Sequence, residues 1–174
     1  TLLGGDGHDV IDGSLGNDNI LGGDGHDTID GSAGSDTISG GDGNDVITGD
    51  NFAVLGGAGD SIDGGEGNDL IQGQDGADTL IGGRGNDTIT GGADADAIIG
   101  AGGNDSIMGE VGDDTIRGNG GNDTIEGGQG DDNIDSGADD DMVLGDDSFG
   151  IFVGNDTING CLLYTSDAAD DGVG

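Results

Sequence analysis

The chain has 174 residues, enough for one domain, but it is not composed like an ordinary globule: 45 are glycine, none is proline, and 38 acidic residues face two basic ones, for a formal net charge of −36. So acidic a chain, with only Phe52, Phe149, Phe152 and Tyr164 as aromatic residues, repels itself and has little apolar surface to bury; on its own it is expected to be disordered. Nucleic acid and anionic membrane are disfavoured as partners because both demand a basic patch, and no run of residues is long enough to span a bilayer. The partner this composition calls for is a multivalent cation. No N-terminal signal peptide is recognisable, and Thr1 falls in mid-pattern, so the sequence reads as a piece of something longer. Cys161 is the single cysteine, which rules out an internal disulfide.

From Gly4 to Leu21 the chain reads GGDGHDVIDGSLGNDNIL, and from Gly22 to Ser39 GGDGHDTIDGSAGSDTIS, almost a copy. One aspartate recurs at Asp9, Asp18, Asp27, Asp36 and Asp45. It continues at Asp60, Asp69, Asp78, Asp87, Asp96, Asp105, Asp114, Asp123, Asp132 and Asp141, and then at Asp156. The step is nine residues except for two steps of fifteen. Two places after each aspartate stands an aliphatic residue, from Ile11 and Ile20 through Leu80 to Val143 and Ile158, without exception. The unit is G-G-x-G-x-D-x-U-x, with U aliphatic, and its nine places are slots one to nine.

Glycine takes positive φ without steric cost, so G-G-x-G turns tightly. The x-U-x that follows is a short strand, with U inward and its neighbours outward. The better period is eighteen residues. Slot three holds Asp6, Asp24 and Asp42 in odd repeats but Leu15 and Ala33 in even ones, and Ser14 and Ser32 also belong to the even set. Two nonapeptides therefore make one coil of a flattened spiral with two distinguishable edges. Coils stack about 4.8 Å apart, and the aliphatic residues form two inward ladders.

A carboxylate column at about 5 Å spacing is strongly unfavourable without counter-charge. The aliphatic ladders alone do not offset the ordering of so glycine-rich a chain. Ca²⁺ suits the oxygens on offer, in a chain with one cysteine and two histidines. Loops of one parity stack on one edge. Asp9 is thus expected to share an ion with Asp27, Asp18 with Asp36, Asp69 with Asp87, and Asp105 with Asp123, and all sixteen recurring aspartates are candidate metal ligands. Stacking allows at most about fourteen sites; interruptions lower this to roughly ten, enough to bring the charge to about −16.

This unit resembles the RTX (repeats-in-toxin) nonapeptide repeat of hemolysin-type calcium-binding regions, over residues 4–160. The resemblance implies an all-β, right-handed parallel β-roll. It implies that each Ca²⁺ lies between two loops on about six oxygens, two from the paired aspartates and the rest from loop carbonyls. It further implies a segment of a larger secreted bacterial protein: a toxin, protease, lipase, epimerase or adhesin. Export would be by the type I secretion machinery, threaded unfolded where calcium is scarce. The roll would then wind up in the extracellular space as sites of about 0.1–1 mM fill. The implied partners are calcium ions, that machinery and the flanking domains of the parent protein.

The pattern has departures. Two repeats are stretched to fifteen residues, 49–63 and 145–159, and between them they hold all three phenylalanines. They read as bulged loops tucking Phe52 or Phe152 against the end of the core, or alternatively as a contact surface for another module. Ala58, Asp94 and Asp139 replace the slot-four glycine and are expected to weaken the calcium sites beside them; Ser136 replaces a slot-one glycine. His8 and His26 share a slot one coil apart, so their rings are expected to be neighbours at an ordinary variable loop position that Asn17, Asn44 and Asn68 also occupy. Arg84 and Arg117 fall in different slots and read as isolated surface residues.

The domain so read takes in residues 1–160. The non-repeat tail, 161–174, shares neither period nor composition with it; CLLYTSDAADD looks like translated sequencing-adapter sequence and is set apart from the fold. Evenly repeated carboxylates, with no nucleophile beside a base and no singular cleft, point away from an enzyme. The leading expectation is a calcium-folded secretion module. The alternatives are a calcium-rigidified structural or adhesin spacer, and a ligand-binding solenoid. An ice-binding version of the last would need outward Thr or Asn ranks, which slot three does not supply.

Overall fold

The computed structural model describes residues 1–50, 57–146, 157–160 and 162–166. Phe52, Phe149, Phe152, Cys161 and Asp156 lie outside them, as do both fifteen-residue loops in part. The described residues form strands and turns, with no helix.

Each nonapeptide yields one strand. Strands run in chain order from β1 (Leu2–Asp6), β2 (Val10–Asp12), β3 (Asn19–Asp24) and β4 (Thr28–Ser32) to β16 (Asp141–Asp146), β17 (Thr157–Asn159) and β18 (Leu162–Ser166). A typical strand such as β3 covers slots seven to nine and one to three, leaving slots four to six for the turn. Odd-numbered strands form one sheet and even-numbered strands the other, each strand pairing in parallel with the strand two ahead. The register is one coil, eighteen residues: Leu2 faces Ile20 and Ile11 faces Ile29. The molecule is therefore an all-β parallel solenoid of two nonapeptides per coil, as the spacing predicts.

The stretched repeat does not break this stack. β5 (Thr37–Asp42) pairs with β7 (Ser61–Glu66), setting Ile38 against Ile62, a step of twenty-four residues. The six extra residues fall in the chain between β6 (Val46–Asp50) and β7, and the strands on either side of them keep one register. β18 lies within the tail that has no repeat pattern, yet its backbone pairs with β16, with a register shift at Asp141/Met142.

The core is thin and regular. The slot-eight residues from Ile11 to Val143 are buried in two ladders, with Leu2 and Ile158 partly buried against them. Slot one also points inward, and glycine there makes room for the ladder of the opposite sheet: a Cβ on Gly31 would lie 3.1 Å from Ile38 Cδ1, and one on Gly40 would lie 3.1 Å from Ile47 Cδ1. Ser136 is the described exception, wholly buried with a hydroxyl that finds no partner.

Slots seven and nine face outward. On the first sheet slot seven forms a rank of Asn19, Thr37, Ser61, Thr79, Ala97, Thr115, Asn133 and Thr157, each opposite the next. An outward rank of Thr, Ser and Asn, interrupted at Ala97, does exist, in slot seven rather than slot three. It is flanked in slot nine by Asp63, Arg117 and Asp135.

Candidate metal centre

The turns stack into two edges. One carries Asp9, Asp27, Asp45, Asp69, Asp87, Asp105, Asp123 and Asp141, the Asp9 edge; the other carries Asp18, Asp36, Asp60, Asp78, Asp96, Asp114 and Asp132, the Asp18 edge. Every expected pair is adjacent. The backbone N–H of Asp9 donates to Asp27 Oδ1 at 2.8 Å, Asp18 to Asp36 at 2.7 Å, Asp69 to Asp87 at 2.9 Å and Asp105 to Asp123 at 2.9 Å. The column continues across the stretched repeat, where Asp36 N–H reaches Asp60 Oδ1 at 2.7 Å and Asp45 N–H reaches Asp69 Oδ1 at 2.8 Å. Asp156 is the one candidate ligand outside the described residues.

From Asp27 to Asp123 on one edge and from Asp36 to Asp114 on the other, one carboxylate oxygen accepts a backbone amide and the other has no donor. The Oδ2 atoms of Asp27, Asp45, Asp69, Asp87, Asp105 and Asp123 on one edge, and of Asp36, Asp60, Asp78, Asp96 and Asp114 on the other, are buried with no hydrogen-bond donor. These side chains are almost fully buried, none above 4 % exposed. A buried anionic oxygen without a donor is costly and needs compensation. Burial, reinforced by like charge from neighbouring coils, pushes Asp60, Asp78 and Asp96 up to about 7, against the lowering effect of the backbone N–H each accepts. Asp69, Asp87 and Asp123 are pushed up to about 6 for the same reasons. Burial also raises Asp36, Asp45, Asp105 and Asp114.

The donor set fits a hard cation. Slot-one glycine leaves space over the orphaned oxygen: a Cβ on Gly4 would lie 2.7 Å from Asp9 Oδ2 and would overlap the carbonyl oxygen of Gly22 one coil ahead. Carboxylate and carbonyl oxygens therefore converge beside a bare Cα. Among the described residues no three His, Cys, Asp or Glu side chains gather at one point. Each candidate centre is a carboxylate pair that backbone oxygens must complete, which is calcium's preference.

The residue before each aspartate varies in the sequence between His, Asn and others, yet along the Asp9 edge it has a constant structural part. His26 N–H donates to His8 Nδ1 at 2.8 Å, and Asn44 N–H to His26 Nδ1 at 2.6 Å. Asn68 N–H then donates to Asn44 Oδ1 at 2.8 Å, Asn86 to Asn68 at 2.6 Å, Asn104 to Asn86 at 2.7 Å, Asn122 to Asn104 at 2.8 Å and Asp140 to Asn122 at 3.1 Å. The His8 and His26 rings stack as expected, with centroids 4.9 Å apart and planes 5° from parallel. Their Nδ1 atoms serve this ladder. It runs opposite to the aspartate ladder: slot five accepts from the coil after it, and slot six from the coil before it.

Two further details differ from expectation. Arg84 is not isolated; it pairs with Glu66, its slot-three neighbour one coil back, and both are exposed. In the nine-residue repeats slot two is left-handed even where it is not glycine, with φ between 71° and 83° at Ser14, Ser32, Gln74, Ala101, Glu110 and Asn119. Asp94 and Asp139 hold the left-handed slot-four turn at 75° and 80°, whereas Ala58 does not take positive φ. Beside Ala58, Asp50 is buried on β6, and its Oδ2 accepts the Ala58 N–H at 3.1 Å. The model of the RTX calcium-binding nonapeptide repeat matches residues 1–29, 21–53, 54–89, 72–107, 81–116 and 108–143. No curated protein matches the chain.

Proposed function

The chain belongs to the RTX calcium-binding nonapeptide repeat family, and we propose that it is a secreted module that folds when calcium joins its coils, carrying and stabilising an attached domain. The observation that carries this reading is the double column of buried aspartates whose second oxygen has no donor. Bound calcium supplies the positive charge between coils that this column lacks.

The residues of the chain do the rest. Slot-six carboxylates of successive coils present the paired oxygens. The Oδ1–amide bonds fix their spacing. Slot-one glycines keep the space beside them open, and the isoleucine ladders bring the two sheets together once the edges are neutralised. Where calcium is scarce, a net charge of −36 holds the chain open, in a form that a type I secretion channel can thread. Extracellular calcium near 0.1–1 mM then drives closure, because binding and folding are one equilibrium. The ligands in this proposal are the sixteen slot-six aspartates, with roughly ten ions shared between same-edge neighbours. Residues 1–160 are the functional unit, without catalytic chemistry of its own.

The continuity of both sheets across the stretched repeat favours a second role as a calcium-rigidified spacer or adhesin stalk. Circular dichroism during calcium titration tests the main reading. A β signal that rises with calcium in the millimolar range and vanishes with EDTA supports it. A signal unchanged up to about 10 mM contradicts it.

A further inference from the structure

The two edges of this solenoid are chemically different. On the Asp9 edge every described slot-five residue from His8 to Asn122 offers a side-chain acceptor, and the amide ladder along it is unbroken. On the Asp18 edge the same slot accepts only at its ends: Ser35 N–H reaches Asn17 Oδ1 at 3.3 Å and Asp131 N–H reaches Asp113 Oδ1 at 2.9 Å. Between them stand Gly59, Ala77 and Ala95, which have no side-chain acceptor. The irregular turns at Ala58 and Asp94 fall on this same stretch. Slot five directly precedes the paired aspartate, so its bond fixes the backbone from which that carboxylate projects.

We propose that calcium binds in two classes segregated by edge: the amide-laddered Asp9 edge closes first, and the unladdered Asp60–Asp78–Asp96 stretch of the other edge needs more calcium. This rests on the calcium reading above. Loop closure and cation binding are coupled, so anything that holds a loop in place raises the apparent affinity of the site it forms. On the laddered edge each arriving turn finds an acceptor waiting in the neighbouring coil. On the other stretch that acceptor is missing, and the turns are held by the slot-six aspartate bonds, the flanking strands and, at Ala58, the bond to Asp50 Oδ2. Slot-five residues are positioning residues in this scheme; they act through the aspartate backbone.

The test is isothermal titration of calcium into the full metal-free chain, with β signal followed in parallel. The wild type is expected to bind in two phases, with most of the β signal gained in the first. The paired substitution Ala77→Asn and Ala95→Asn is expected to move the second phase toward the first, by roughly two- to tenfold in midpoint per added bond. Asn86→Ala with Asn104→Ala is expected to shift part of the first phase into the second. Asn86→His with Asn104→His is expected to restore it, since histidine already makes this bond at His8 and His26. A single phase in the wild type, or a second phase indifferent to Ala77→Asn and Ala95→Asn, overturns the edge assignment while leaving calcium binding intact. Absence of binding up to about 10 mM overturns both.

Discussion

Asp105 gives its backbone N–H to Asp123 Oδ1 at 2.9 Å and receives the N–H of Asp87 on its own Oδ1 at 2.9 Å, while its Oδ2 remains buried with no donor. One side chain thus belongs to two inter-coil contacts. Asp105→Ala is expected to weaken the two ions shared with Asp87 and Asp123, and to leave those around Asp27 unchanged. Asp105→Asn keeps the amide acceptor and loses the charge, so it is expected to lose the same ions with less damage to the stack. Site-resolved lanthanide luminescence or NMR during titration checks this; equal weakening at every site would contradict the pairing.

Gly25 and Gly7 share slot four and both have strongly positive φ, 142° and 126°. They differ in what lies beside them: a Cβ on Gly25 would overlap the Gly7 carbonyl oxygen, whereas a Cβ on Gly7 meets nothing within 4 Å. Gly7→Ala is expected to cost only the left-handed strain, about 1–2 kcal/mol. Gly25→Ala adds a backbone collision between coils and is expected to cost about 4 kcal/mol or more. Thermal melts in saturating calcium separate the two; equal costs would mean that the coils do not approach this closely.

Asp94 sits in the same slot at φ 75° and adds like charge that raises both Asp78 and Asp96. Asp94→Gly removes both penalties. It is expected to stabilise the folded chain by about 1 kcal/mol from the backbone alone, with a lower calcium midpoint. An unchanged or higher midpoint would count against a strained turn at this position.

How much of this was legible in the sequence follows from what each slot demands. Asp9, Asp18 and their successors, with Ile11, Ile20 and theirs, stand out because one slot must be acidic and another must be aliphatic in every coil. The nine-residue unit comes directly from that; the eighteen-residue coil, and with it the aspartate pairs, comes from the odd–even alternation of slot three, Asp6 and Asp24 against Leu15 and Ala33. Slot five is harder to read because its requirement is an acceptor at the right reach, which His8, Asn44 and Asn122 meet with different side chains. Sorting that slot by parity would have revealed it, since the residues without an acceptor, Gly59, Ala77 and Ala95, all fall on one edge. The Arg84–Glu66 pair was equally available from the eighteen-residue spacing. The left-handed backbone at Ala101 and Gln74 was not, because neither residue favours it and only the stacked turn imposes it.

Acidity should act as a partial substitute for metal. Asp60, Asp78 and Asp96 titrate near 7 in the metal-free fold, and Asp69, Asp87 and Asp123 near 6, above the ordinary carboxylate value. A raised folded pKa contributes stability that is fully present below the unfolded value, about 3.9, and is lost as pH rises through about 6 to 7. In EDTA, the β signal is therefore expected to grow as pH falls from 8 to 5, a range that stops above the pI of 4.1. A flat profile over that range would show that the metal-free carboxylates are not buried as described.

The most direct measurement is anomalous diffraction from crystals grown in millimolar calcium. Peaks are predicted in two columns, one along each edge, each peak beside the Oδ2 atoms of an adjacent aspartate pair such as Asp87 and Asp105. Carboxylates in calcium-rich crystals that keep only their amide bonds, with no density at those oxygens, would contradict calcium as the clamp between coils.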